Sequence, residues 1–188
     1  MANSREIDQL LAREDYDGVV ELARARLAKV KRFLVGRLYS ADEQEKWHAV
    51  RALGALVETP GILERSKIVG LLEQFLWSLS DESGVVPYGV PEAIGEILAR
   101  RPEFQEQFLP ILCSLVTHED MLQTGAIERG VFWALGRIGP PVATCSSHAV
   151  TGIRYAIWQH PDEQTREVAT WALAQINQAD SPEASPRK

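Results

Sequence analysis

The sequence predicts an all-α protein, an α-α superhelix built from about four stacked helix pairs. Three observations carry that expectation. Residues 47–56, 88–97, 129–138 and 167–176 can be written under one another, and a column of the smallest residues, Gly54, Gly95, Gly136 and Ala174, recurs in them after 41, 41 and 38 residues. Within each segment the apolar positions fall at i, i+3, i+4 and i+7, as in Ala49, Ala52, Leu53 and Leu56, which is one face of an α-helix. A period near 40 residues belongs to arrays in which each helix pair buries its apolar face against its neighbours. No stretch sustains the alternation of a strand.

The elements follow in chain order. Residues 4–13 form a short helix that caps the first repeat. Helix 17–39 carries the apolar stripe Val20, Ala23, Leu27, Val30, Leu34 and Leu38, and pairs with the first aligned segment. Helical patterns at 62–79, 103–116 and 146–159 precede the other three segments. Their core columns read Val90, Ala93, Ile94, Ile97, then Val131, Ala134, Leu135, Ile138, then Ala169, Ala172, Leu173, Ile176. Pro60, Pro102 and Pro161 stand where helices are expected to begin, and Asp162 and Glu163 suit the positive end of the last one. In the second repeat Pro91 takes the position of Val50. Lacking an N–H it belongs in a first turn, so this helix is expected to start at Gly89 or Val90, with 80–88 as a connecting loop. Glycine inside a helix costs roughly 0.5–1 kcal/mol against alanine, so an aligned column of it implies close helix approach. A leucine at Gly54 is expected to clash. Residues 1–178 are read as a single repeat domain, and 179–188, without an apolar anchor, as a disordered tail.

Helix pairs of this period, covering nearly the whole chain from Asp17 to Asn177, resemble HEAT repeats, an armadillo-like class, of the short bacterial type that includes repeats named after phycobilisome lyases. At about 100° per residue, the columns of Trp47 and Arg51 point nearly opposite to the core columns. The first reads Trp47, Tyr88, Arg129, Glu167 and the second Arg51, Glu92, Trp133, Trp171. The resemblance implies that second helices line the concave side, which makes Trp47, Arg51, Tyr88, Glu92, Arg129, Trp133 and Trp171 a candidate binding groove. Flat aromatic anchors interleaved with charges are the composition of a binding surface. The repeat breaks at 81–91, a segment similar to the DESG-to-PE stretch of small bacterial HEAT proteins. Asp81 and Glu82, with Tyr88 and Glu92, form a candidate loop site for a ligand or cation. The plainer alternatives are solvated turn residues and, for Glu92, a cap on free helix N–H groups.

Composition and motifs narrow the function. The chain has 188 residues, 45% of them hydrophobic, and a net charge of −6 from 20 basic and 26 acidic residues. That balance argues against a nucleic-acid or anionic-membrane partner. No apolar run approaches the roughly 18 residues of a membrane span, and the start shows no signal-peptide stretch, so the cytoplasm is the expected location, with Cys113 and Cys145 reduced. HEAT-type deoxyhypusine hydroxylases carry His-Glu pairs in each repeat. The matching pairs here, Trp47-His48, Tyr88-Gly89, Arg129-Gly130 and Glu167-Val168, do not, and His118-Glu119 falls in a turn. Cys145 and His148 supply only two of the four ligands of a structural zinc site. HEAT-like DNA glycosylases pair groove aromatics with an aspartate one turn on, whereas Arg137 and Gln175 follow Trp133 and Trp171. No nucleophile elbow or P-loop occurs, and no catalytic residue, metal or cofactor is assigned. The basic stretch 22–41 is a solvated helix face or a dock for an acidic protein. The expected function is a scaffold that binds a protein or peptide partner in its groove. The alternative, resting on the resemblance alone, is a phycobilin-lyase-like or chaperone protein that grips a tetrapyrrole or other small flat ligand.

Overall fold

The computed structural model describes residues 2–80, 86–117 and 125–178. The short helix α1 (Ala2–Ala12) packs on α2 (Tyr16–Arg37), which pairs with α3 (Glu43–Glu58). Next come α4 (Arg65–Leu79) with α5 (Val90–Arg100), and α6 (Gln105–Ser114) with α7 (Gly125–Ile138). A short α8 (Pro141–Cys145) leads into the last pair, α9 (Ser147–Gln159) and α10 (Glu163–Ile176). Among the described residues there is no strand, and no helix is long and apolar enough to cross a membrane. The expected all-α superhelix of helix pairs is what forms.

The starts of α2, α3, α9 and α10 are set by short polar side chains that bond backbone N–H groups left free in the first turn. Asp15 accepts from Gly18 (2.8 Å), Asp42 from Glu45 (2.9 Å), Ser146 from Ala149 (3.1 Å) and Asp162 from Thr165 (3.0 Å). Each such cap contributes about 1 kcal/mol. Some boundaries differ from expectation. Pro60 opens a turn rather than a helix, because Gly61 at φ +78° breaks the chain direction and α4 starts only at Arg65. The pattern at 103–116 is not one helix. It divides into a 3-10 turn at Pro102–Phe104, α6, and a second 3-10 turn at Leu115–Thr117. Helix α8 was not expected, and α2 leaves helical angles at Arg26 (φ −143°, ψ 40°). The basic stretch of α2 is partly tied down, since Arg37 binds Asp8 (2.7 Å) and Glu45 (2.6 Å). The segments 81–85, 118–124 and 179–188, with the expected loop site, the His118-Glu119 pair and the tail, lie outside the described residues.

The second helices of the pairs, α3, α5, α7 and α10, pack on one another in succession and form the spine. Their core columns are buried in every repeat, from Ala52 and Leu53 through Ala93, Ile94, Ala134 and Leu135 to Ala172. The small-residue column lies at the seams. A Cβ added to Gly95 would sit 2.5 Å from the Cα of Ala134 in α7, and one added to Gly136 would sit 2.7 Å from the Cα of Ala172 in α10. Gly54 differs: its nearest neighbours are the flexible side chains of Glu96 and Arg100. The central helix α5 is consequently enclosed on all sides, with every residue from Val90 to Leu98 buried.

Cys113 on α6 and Cys145 on α8, far apart in sequence, are brought beside each other. Burial and the adjacent Cys145 thiol push the Cys113 thiol up to about 12, while Cys145 is exposed.

Two outcomes are expected. Gly95→Ala should destabilise by about 1–3 kcal/mol in urea unfolding because it overpacks a backbone contact. Gly70→Ala, on the open face of α4 with nothing within 4 Å, should instead gain up to about 1 kcal/mol. Equal shifts would refute the close-approach account. In the native protein at pH 8, iodoacetamide should modify Cys145 and spare Cys113, as read by intact mass and peptide mapping.

Candidate functional site

Three of the five tryptophans gather on the spine, one each from α3, α7 and α10. Trp47 meets Trp133 edge to face, with ring centroids 4.7 Å apart and planes at 67°. Trp133 stacks on Trp171 at 6.1 Å and 15°. Such pairs contribute about 0.5–1.5 kcal/mol each beyond their burial. Helix α5 lies between α3 and α7, so the Trp47–Trp133 contact passes over it. The two rings roof α5, and the residues it turns toward them, Glu92 and Glu96, are covered. The other two tryptophans, Trp77 and Trp158, stand exposed on α4 and α9.

Glu92 was expected on an open surface or as a helix cap. It is neither. Only 3% of it is exposed, and Lys46 of α3, itself buried, donates to its Oε1 at 3.1 Å. Burial pushes the Glu92 carboxyl above the usual carboxylate range, and the nearby ammonium partly offsets that. Its Oε2 has no hydrogen-bond partner and rests against Gly130, where a Cβ would come within 2.7 Å. Lys46 also donates to Glu43 (2.9 Å), which in turn accepts from the indole N–H of Trp47 (3.1 Å). Gly89 leaves room for the stem of Lys46, because a Cβ there would sit 2.5 Å from its Cγ. The ion pair is therefore built into the seam between repeats one and two, and it orients Trp47.

One turn further along the helices lies a second set. Glu96, 4% exposed, accepts from Arg100 Nε at 2.6 Å and from Arg137 Nε at 2.7 Å. Arg100 also pairs with Glu58. Glu96, Arg100 and Arg137, with Trp47, Val50, Arg51 and Trp133, line a cleft of about 390 Å³. Arg51 is exposed at its rim, with Glu14 at 3.6 Å.

Of the seven expected groove residues, Trp47, Trp133, Trp171 and Arg51 come together. Three do not join them as expected. Glu92 is consumed by Lys46. Arg129 donates to Asp162 (2.9 Å), the cap of α10, whose carboxyl is held down to about 2 by the Thr165 hydroxyl and N–H, with Arg129 adding to them. Tyr88 is half-buried in the turn before α5, outside the tryptophan contacts. Asp81 and Glu82 lie outside the described residues. Lys46, Glu96, Arg100 and Arg137 were missed. The signal for two of them was present in the column after the glycines, which reads Ala55, Glu96, Arg137, Gln175. Among the described residues no group of three or more His, Cys, Asp or Glu side chains is placed to hold a metal.

A designed armadillo repeat protein, solved in complex with the peptide (KR)4, is similar in structure. The match covers 93% of this chain and 87% of that one, with a TM-score of 0.53 and 16% identity. At that identity the likeness is one of fold, a helical-repeat solenoid. No family model matches the chain, and no curated protein matches it.

Lys46→Met is expected to cost about 3–5 kcal/mol at pH 7, because it strands the buried Glu92 carboxylate. The sign with pH follows from the raised native pKa. Protonated Glu92 no longer needs a counter-charge, so the penalty should shrink as pH falls from neutral toward the unfolded carboxylate range. Adding Glu92→Gln should recover much of the loss. A penalty independent of pH and of the second substitution, in denaturant unfolding from pH 4 to 8, would disprove the pairing.

Proposed function

We propose that the protein is a binding module of the HEAT type whose spine holds an extended protein segment. The observation that carries this reading is the run of tryptophans from α3, α7 and α10, one face of which stays open at Trp171, 37% exposed. Large, rigid rings that are already packed on each other lose little conformational freedom on binding, which is the property of an interface anchor. The two-helix repeat of about 40 residues supports the HEAT type within the helical-repeat class. The designed armadillo repeat protein of similar fold was solved in complex with a peptide, and the use of the spine for such a segment is part of the proposal. The four spine helices, spaced roughly 8–10 Å apart, span about eight or nine residues of extended chain.

A small flat ligand finds no slot between the rings. Centroid separations of 4.7 and 6.1 Å are those of aromatic pairs in mutual contact, so an intercalated tetrapyrrole would have to force them apart. No observation favours that alternative over a segment lying across the ring edges.

In a screen of nine-residue peptides by fluorescence anisotropy, Trp133→Ala should weaken the best binder by about tenfold or more, the loss typical of a central anchor. Helicity by circular dichroism should be unchanged, and Trp158→Ala, on the outer helix α9, should have no effect. Intact binding in both Trp133→Ala and Trp171→Ala would sink the groove reading.

A further inference from the structure

The cleft beside the tryptophans is lined by more basic than acidic side chains, in a chain that is acidic overall. The chain is acidic, with 26 acidic against 20 basic residues. The cleft presents three guanidiniums, Arg51, Arg100 and Arg137, against the single carboxylate of Glu96. That carboxylate is closed to an incoming cation, since it is 4% exposed and both its oxygens already accept from Arg100 and Arg137. The guanidiniums are not closed in the same way. Arg137 uses its Nε on Glu96, its side chain is 39% exposed, and its two Nη atoms carry four further N–H donors. Arg51 is 52% exposed, and its Glu14 neighbour stands 3.6 Å away, beyond hydrogen-bond distance. Arg100 is turned outward to Glu58. Each open guanidinium sits one helical turn beyond a ring, Arg51 after Trp47 and Arg137 after Trp133.

We infer that the segment taken by the groove is acidic: an extended peptide whose carboxylates engage Arg51 and Arg137 while its apolar side chains lie against Trp133 and Trp171. This rests on the groove reading above and specifies the partner's chemistry. Planar guanidiniums match carboxylates with paired N–H donors, so they select for charge and for geometry. The overall charge works against this choice. A chain of net charge −6 attracts cations at long range, so a preference for an acidic peptide can come only from the cleft.

The test uses the full chain and three fluorescein-labelled nonapeptides that alternate phenylalanine with glutamate, glutamine or lysine. The glutamate peptide should bind tightest, and more weakly in 300 mM than in 50 mM NaCl. Arg51→Glu, a change at an exposed rim position, should weaken it by about tenfold and relax the preference. Trp133→Ala should weaken all Trp-dependent binding. Glutamine or lysine peptide binding as tightly as the glutamate peptide, with Trp133→Ala still deleterious, overturns the acidic assignment and leaves the groove standing. No Trp133-dependent binding of any of the three overturns both. A dimer of the free protein that Arg51→Glu dissociates would assign the cleft to a second copy of the chain and also overturn the proposal.

Discussion

The close approach of the four spine helices is the constraint on which the rest of the structure depends. It is set by the absence of side chains. At Gly95 and Gly136 the next helix comes so near that a single added carbon would overlap the backbone of Ala134 or Ala172. Glycine weakens each helix on its own, and the array accepts that cost because packing of apolar faces supplies most helical stability in such folds. The alanines opposite belong to the core column, so two columns of small residues from adjacent repeats form one seam.

That seam has a consequence two repeats away. With α3, α5 and α7 drawn together, Trp47 and Trp133 reach each other across the intervening helix and cover it. Helix α5 is then buried almost all round, and its two groove-side glutamates are nearly cut off from water. A buried carboxylate has to be paired. Lys46 answers Glu92 and Arg137 answers Glu96 across seams between repeats, and Arg100, on the same helix as Glu96, adds a second donor to it. The polar contacts thus follow from the aromatic roof, and they pin the register of α3, α5 and α7. The remaining donor capacity of the arginines is what gives the cleft its positive character.

The repeat columns also explain why the site was only partly legible. Helical periodicity assigns a residue to a face of its own helix, and for Trp47, Arg51, Trp133 and Trp171 that was enough. It says nothing about what a neighbouring repeat places over that face. Glu92 shares a column with Arg51 and Trp133, yet it is buried, because its helix is the central one and the rings above it come from α3 and α7. Arg129 shares a column with Trp47, and its partner Asp162 lies 33 residues on, at the cap of the next spine helix. Lys46 was invisible as a site residue for the same reason, since the carboxylate it binds belongs to another repeat.

The sequence by itself determined the fold class, the number of helix pairs, and two of the places where helices must approach closely, Gly95 and Gly136. All of these are consequences of local periodicity and of side-chain size at a fixed repeat. Only the tertiary structure decided which outward columns stay open and which are sealed, that Cys113 and Cys145 are neighbours, and that three arginines of an acidic chain meet in one cleft. The physical reason is that exposure and electrostatic pairing depend on atoms contributed by other repeats, at distances along the chain where the 40-residue pattern carries no information about individual side chains.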